Sequence, residues 1–124
     1  MAKILVVDDH PAIRMAVNIL LQQDDHHIVA EVDNGVDAVS MARKYQPDMV
    51  VLDIGIPRLD GIEVIKRLKE MDADIKVVIL SAQATHHIMV RCLQAGANDY
   101  LAKPIDLDRL FSLIRVWLPQ LERI

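Results

Sequence analysis

The sequence predicts an α/β protein, a (βα)5 doubly wound five-stranded parallel sheet with helices on both faces. Three observations lead there. Ile4–Val7, Met49–Leu52 and Val77–Leu80 are continuous apolar runs, and a strand that lacks polar alternation is one covered on both faces, as in parallel sheets. A helical pattern follows each run, so strands and helices alternate along the chain. A length of 124 residues accommodates five such units, whereas a closed barrel needs eight.

In order along the chain, the strand Ile4–Val7 is followed by Ile13, Ala16, Val17 and Leu20 at i, i+3, i+4 and i+7, which predicts an amphipathic helix. Pro11 suits its first turn, where a missing N–H costs nothing. Ile28–Val32 carries Glu31 among its apolar residues and reads as a strand nearer the sheet edge. Val36–Tyr45 is a less regular helix, and Val64, Ile65, Leu68 and Met71 give the third helix its inward face. His86–Ala95 is a fourth helix, weakly amphipathic through Met89, Cys92 and Leu93. Gly96 closes it, free to take the left-handed conformation of a helix end. The short run Asp99–Ala102 suits the other edge. Asp106 then caps a last helix whose stripe runs Leu107, Leu110, Phe111, Ile114, Trp117, Leu118 and Leu121.

Composition narrows the function classes. The chain is 52% hydrophobic and 3% aromatic, so its core is aliphatic and disorder is excluded as a general description. Fourteen basic against eighteen acidic residues give a net charge of −4, which argues against a nucleic-acid surface on this domain. Cys92 is the only cysteine, so a disulfide framework and a thiolate metal cluster are both excluded. The apolar start turns acidic after Val7, far short of a signal sequence or a membrane span. A cytoplasmic protein is expected. No linker, repeat or low-complexity stretch divides the chain, and residues 1–124 read as one domain.

The chemistry lies where the strands stop. Asp8 and Asp9 follow the first apolar run, Asp53 the third, Ser81 the fourth, and Lys103 the last. Residues past the C-terminal strand ends of an open parallel sheet share one crevice. Taken alone, Asp8 or Asp9 could simply cap the next helix. With Asp53 added, three carboxylates crowd one pocket and repel unless a hard cation neutralises them, which implies Mg2+. The glycine-rich loop of a nucleotide fold is absent after the first strand. Lys103 offers a second positive charge to a phosphoryl group and Ser81 a hydrogen bond. Asp53 is placed as the nucleophile for an acyl phosphate.

Asp8-Asp9, Asp53, Ser81, Tyr100 and Lys103-Pro104, in this order and strand context, resemble the receiver domain of two-component response regulators across essentially the whole chain. The opening Asp8-Asp9-His10-Pro11, with Arg14 soon after, looks most like receivers of the NarL/FixJ (LuxR-type) class, which usually precede a helix-turn-helix DNA-binding domain. The resemblance implies a flavodoxin-like sheet with strand order 2-1-3-4-5 and a phospho-accepting switch that catalyses only its own phosphorylation and dephosphorylation. Asp53 would accept a phosphoryl group from a sensor histidine kinase or from a small donor such as acetyl phosphate. Asp9, Asp53 and the Gly55 backbone carbonyl would bind Mg2+ (or Mn2+), with Asp8 acting largely through water. Ser81, Lys103 and the Ala82 backbone N–H would hold phosphoryl oxygens. Lys103-Pro104 would be a cis peptide that aims the lysine into the site. Tyr100 would be the aromatic switch whose ring turns inward when Ser81 is drawn toward the phosphate.

It further implies kinase recognition through surface residues of the first helix, such as Arg14, Met15 and Asn18, and a homodimer formed on phosphorylation. DNA would be reached through an effector domain outside these residues, with no membrane involved. The N-terminal half of a longer regulator is expected over a stand-alone receiver. Gly55, two beyond Asp53, leaves no side chain over the phosphoryl group, and Gln83 lies near the path of attacking water; both bear on the phosphorylated lifetime.

Two other classes fit less well. A haloacid-dehalogenase-type phosphatase needs a second Asp two residues after its nucleophile, where this chain has Gly55. A flavodoxin-like redox carrier needs a hydroxyl- and glycine-rich loop and flanking aromatics, against Asp8-Asp9 and 3% aromatic content. The pairs His26-His27 and His86-His87 read as solvated, without the i, i+4 spacing of a zinc pair. His10 stands closer to the pocket and could shape access for the donor. Trp117 reads as core, and Val116, off the stripe, as exposed.

Overall fold

The computed structural model describes residues 2–23, 26–82 and 85–118. Five strands alternate with five helices: β1 Lys3–Val7, α1 Pro11–Gln23, β2 His27–Val32, α2 Gly35–Tyr45, β3 Met49–Asp53, α3 Gly61–Met71, β4 Lys76–Ser81, α4 His86–Ala95, β5 Asp99–Ala102 and α5 Leu107–Trp117. The strands form one parallel sheet in the order β2-β1-β3-β4-β5. The doubly wound expectation holds, and the two weaker strands take the edges.

Alternate residues of each central strand face opposite layers, which is why the apolar runs are continuous. Leu5, Val7, Val50, Leu52, Val77 and Ile79 point to the side packed by Ala38 and Ala42 of α2, Val64, Ile65 and Leu68 of α3, and Cys92 of α4. Ile4, Val6, Met49, Val51, Val78 and Leu80 point to the side packed by Val17 and Leu21 of α1 and Leu110 and Ile114 of α5. Burial of the central strands on both faces gives the sheet the rigidity to hold groups at its edge.

The helix ends follow their sequence signals. The Asp106 carboxylate accepts from the amides of Asp108 and Arg109, and Gly96 closes α4 with φ 119°. Thr85 caps α4 and Asp60 caps α3, neither of which the periodicity had singled out. Two expectations change. Met71 is 36% exposed, because α3 ends there with Asp72 as its cap. His26 is buried at 5% exposure, its backbone N–H bonded to the Leu21 carbonyl where α1 turns into β2, while His27 is exposed. His86 and His87 are exposed, Val116 is 64% exposed, and Trp117 packs on the α1–α5 core. Gln83 and Leu121 lie outside the described residues.

One close approach positions the site. A Cβ on Gly61 would stand 2.6 Å from the Ile54 Cα and 2.7 Å from the Ile54 carbonyl oxygen, both backbone atoms of the residue after Asp53. Gly61→Ala therefore has to push α3 away from the end of β3. It should cost about 1–3 kcal/mol, the usual range for overpacking, read in urea unfolding as a lower midpoint at unchanged slope. A midpoint equal to that of the parent would mean the gap can open at no cost.

Candidate functional site

The sheet register brings the expected residues to one level. Asp53 pairs with Leu80 and Ser81 with Ala102. The ladder runs one residue further on each side: the Ile54 N–H donates to the Leu80 carbonyl at 3.3 Å, and the Lys103 N–H to the Ser81 carbonyl at 2.8 Å. The Asp8 N–H donates to the Val32 carbonyl at 3.0 Å. Asp8, Asp53, Ser81 and Lys103 thus begin from backbone fixed by neighbouring strands.

Asp9, His10, Asp53, Ile54, Gly55, Ser81, Ala82 and Lys103 line a cleft of about 230 Å³. Larger cavities occur at the far end of α2 and α3 and along the groove between these helices, but they hold none of these groups. Asp53 forms part of the wall and is 4% exposed. The Gly55 N–H donates to its Oδ1 at 2.9 Å and Lys103 Nζ to its Oδ2 at 3.0 Å. Lys103 Nζ also lies 2.9 Å from Asp8 Oδ2. Burial works against the Lys103 charge, but hydrogen bonds and charge from Asp8 and Asp53 outweigh it and hold the ammonium above its ordinary pKa. The lysine stays cationic and ties two carboxylates from different strands. The Lys103-Pro104 peptide is cis, as the resemblance implies.

Asp8 is fully buried. Its Oδ1 accepts from the backbone N–H of His10 at 2.9 Å, whereas the Ile13 and Arg14 amides in the first turn of α1 donate to the His10 carbonyl. The cap reading of Asp8 is thereby replaced by a place in the cluster. Asp9 is more open, its side chain 39% exposed.

Two residues matter more here than the sequence suggested. Arg14, expected on the surface presented to a kinase, is half-buried, and its Nη1 donates to the Asp8 carbonyl at 2.6 Å. His10 points its Nδ1 among the acids, 2.9 Å from Asp8 Oδ1 and 3.1 Å from Asp9 Oδ1. Asp8, Asp9, His10 and Asp53 each offer one donor atom within 4.8 Å of the others. Such a set, rich in hard carboxylate oxygens, suits a divalent cation.

Tyr100 stands one strand over. Its ring packs on the α2–α4 core and its hydroxyl is buried near Ser81. A phenol left in water at the sheet edge is therefore not what the structure shows. Burial raises its pKa, only partly offset by the Ser81 hydroxyl. Next to it, the Asp99 carboxylate accepts from Trp117 Nε1 at 3.1 Å, tying β5 to the end of α5.

A doubly wound sheet whose strand ends hold three acids, a hydroxyl and a paired lysine is the arrangement of a phospho-accepting signalling module. The chain belongs to the response regulator receiver domain family, whose model matches residues 4–115. It is 51% identical over 110 residues to a Pseudomonas aeruginosa protein named, provisionally, as a transcriptional regulator; the match covers 89% of this chain and 53% of that protein. The chain spans about half the length of the transcription-regulator relatives it matches. Among solved structures it resembles a LuxR-family two-component response regulator from Aurantimonas, with TM-score 0.88, 28% identity and coverage of 97% and 86% of the two chains. It also resembles the receiver domain of the Pseudomonas aeruginosa sensor histidine kinase PA1611, with TM-score 0.83, 29% identity and coverage of 94% and 96%, whose active-site cleft coordinates magnesium. The phosphatase alternative is not favoured. Among the described residues no helix is long and apolar enough to cross a membrane.

Proposed function

We propose that Asp53 is the phosphoacceptor of this receiver and that the domain switches a partner-binding surface when phosphorylated. The observation that carries this reading is the Asp53 carboxylate itself: buried, held by the Gly55 N–H and Lys103 Nζ, and facing the cleft. Its oxygen attacks phosphorus as the phosphoryl bond to the donor nitrogen or oxygen breaks, and the fixed carboxylate spares the entropy of finding that geometry. Asp8, Asp9, Asp53 and the Gly55 carbonyl would hold Mg2+ or Mn2+, Asp8 largely through water. Mg2+, when bound, neutralises acids and phosphoryl oxygens drawn to the same place.

Lys103, Ser81 and the Ala82 N–H receive the transferred oxygens. Phosphorylation adds about −1.5 to −2 charges and draws Lys103 and Ser81 toward the new group. Tyr100, already buried near Ser81, relays that shift to the face formed by α4, β5 and α5. Exposed Met15 and neighbouring Asn18 on α1 support a kinase-docking surface beside the cleft.

The donor would be a sensor histidine kinase in the cytoplasm, and the phosphorylated domain would form a homodimer. The transcription-regulator relatives, of which the match covers 53%, support reading residues 1–124 as the N-terminal receiver of a longer regulator that reaches DNA through another domain. The test is incubation with acetyl phosphate and Mg2+ followed by intact-mass measurement. One phosphoryl group that hydroxylamine removes is expected, and chelating the cation should abolish its uptake. Uptake that ignores the chelator would overturn the metal-dependent reading.

A further inference from the structure

His10, expected to shape access for the donor, places its ring nitrogen within the carboxylate cluster. Nδ1 is 2.9 Å from Asp8 Oδ1, 3.1 Å from Asp9 Oδ1 and 3.9 Å from Asp53 Oδ2. Two adjacent ligands on an octahedral ion with bonds near 2.1 Å are about 3 Å apart. The nitrogen thus keeps the spacing of a neighbouring ligand from Asp9 Oδ1, and it lies with Asp8, Asp9 and Asp53 in a set whose donor atoms all fall within 4.8 Å of one another.

The position is also fixed from behind. The His10 N–H is bonded to Asp8 Oδ1, and its carbonyl accepts from the N–H groups of Ile13 and Arg14 as α1 begins. Only the side-chain torsions remain to be set. Beside carboxylates that only accept, Nδ1 donates to Asp8 Oδ1 at 2.9 Å, and the tautomer with the proton on Nε2 frees its lone pair for a cation; the side chain is 62% exposed. Lys103 Nζ at 3.4 Å from Nδ1 is the nearby positive charge that any arriving cation must meet.

We propose that His10 Nδ1 is a fourth protein ligand of the cleft, one that widens its cation preference from Mg2+ toward first-row transition ions. The inference rests on the carboxylate site proposed above and adds a nitrogen to it. Carboxylate, carbonyl and water suit magnesium, whereas imidazole favours the later ions such as nickel and zinc. A histidine in the set therefore does little for Mg2+ and much for Ni2+. The resulting selectivity is a property of this chain's own ligand set: the occupant depends on which ions are present.

The experiment compares His10→Ala and His10→Phe, the second keeping ring bulk without nitrogen, with Asp9→Asn. Calorimetric titrations with Mg2+ and Ni2+ give the two affinities, and pulsed electron spin resonance of bound Mn2+ detects a directly coordinated nitrogen. Both His10 variants should weaken Ni2+ by about tenfold or more, as removing groups that hold a metal commonly does, while Mg2+ changes by less than about threefold. The nitrogen coupling to Mn2+ should vanish. An unchanged Ni2+ to Mg2+ ratio in both variants, or no nitrogen coupling in the parent, overturns the inference. Asp9→Asn should weaken both ions. If it weakens both while the His10 variants leave the ratio intact, only the role of His10 fails; if it weakens neither, the cation site itself is wrong. Ni2+ binding that survives Asp9→Asn would place the ion on other histidines and also overturn the inference.

Discussion

Asp53→Asn is expected to lose phosphoryl uptake from acetyl phosphate completely while keeping its fold. The amide has nearly the shape of the carboxylate, so its oxygen can still accept from the Gly55 N–H, which donates to Oδ1 at 2.9 Å in the parent. What disappears is the negative charge that makes the oxygen a nucleophile and that pairs with Lys103 at 3.0 Å. Lys103 still has Asp8 Oδ2 at 2.9 Å, so no cation is left stranded. Removing one of two buried acids relieves like-charge crowding. The urea midpoint should therefore fall little or rise, separating lost chemistry from lost structure. Intact mass after exposure to acetyl phosphate is the measurement. A mutant that still gains a hydroxylamine-labile group would move the acceptor to another acid, with Asp9, its side chain 39% exposed, the next to test.

Asp53 and its neighbours in the cleft are legible in the sequence, and the reason is the sheet. Continuous apolar runs mark where strands end, parallel topology sends those ends to one edge, and the hydrogen bonds from Ile54 to Leu80 and from Lys103 to Ser81 carry the register into the site. Strand limits differ from the apolar runs by a residue or so, because a polar residue such as Lys76 or Ser81 extends a strand without joining its core. Other features leave no periodic trace. Arg14 holds a backbone carbonyl six residues back, and a main-chain acceptor has no residue type to recognise. His10 enters the acids through side-chain torsions alone. For His26 and His27, alternation says only that two adjacent residues face apart; the buried one is His26, whose N–H is bonded to the Leu21 carbonyl, an acceptor with no residue type to recognise. Met71 kept its helical spacing while its helix stopped.

Lys103→Ala tests whether one side chain serves both the resting fold and the switch. In the parent the ammonium bridges Asp8, fully buried, and Asp53, 4% exposed. Removing one partner of a buried ion pair leaves an uncompensated charge, at a cost of about 3–5 kcal/mol in a dry interior. The cleft is open to water, so about 2–3 kcal/mol is expected here, near 10 °C in melting temperature for a domain of this size. That loss should appear in chelator and shrink as Mg2+ is added, because a ligand that binds only the folded state stabilises by mass action. Millimolar Mg2+ should accordingly raise the midpoint more in the mutant than in the parent. Phosphoryl uptake should persist, while the change in affinity for a partner that normally follows should be lost. The fluorescence of Trp117, bonded to Asp99 beside Tyr100, reports locally on whether the shift reaches α5. Equal Mg2+ stabilisation in both proteins would show that the lysine does not hold the acids together. Unchanged partner coupling would remove it from the switch, leaving Ser81 and the Ala82 N–H to sense the phosphoryl group.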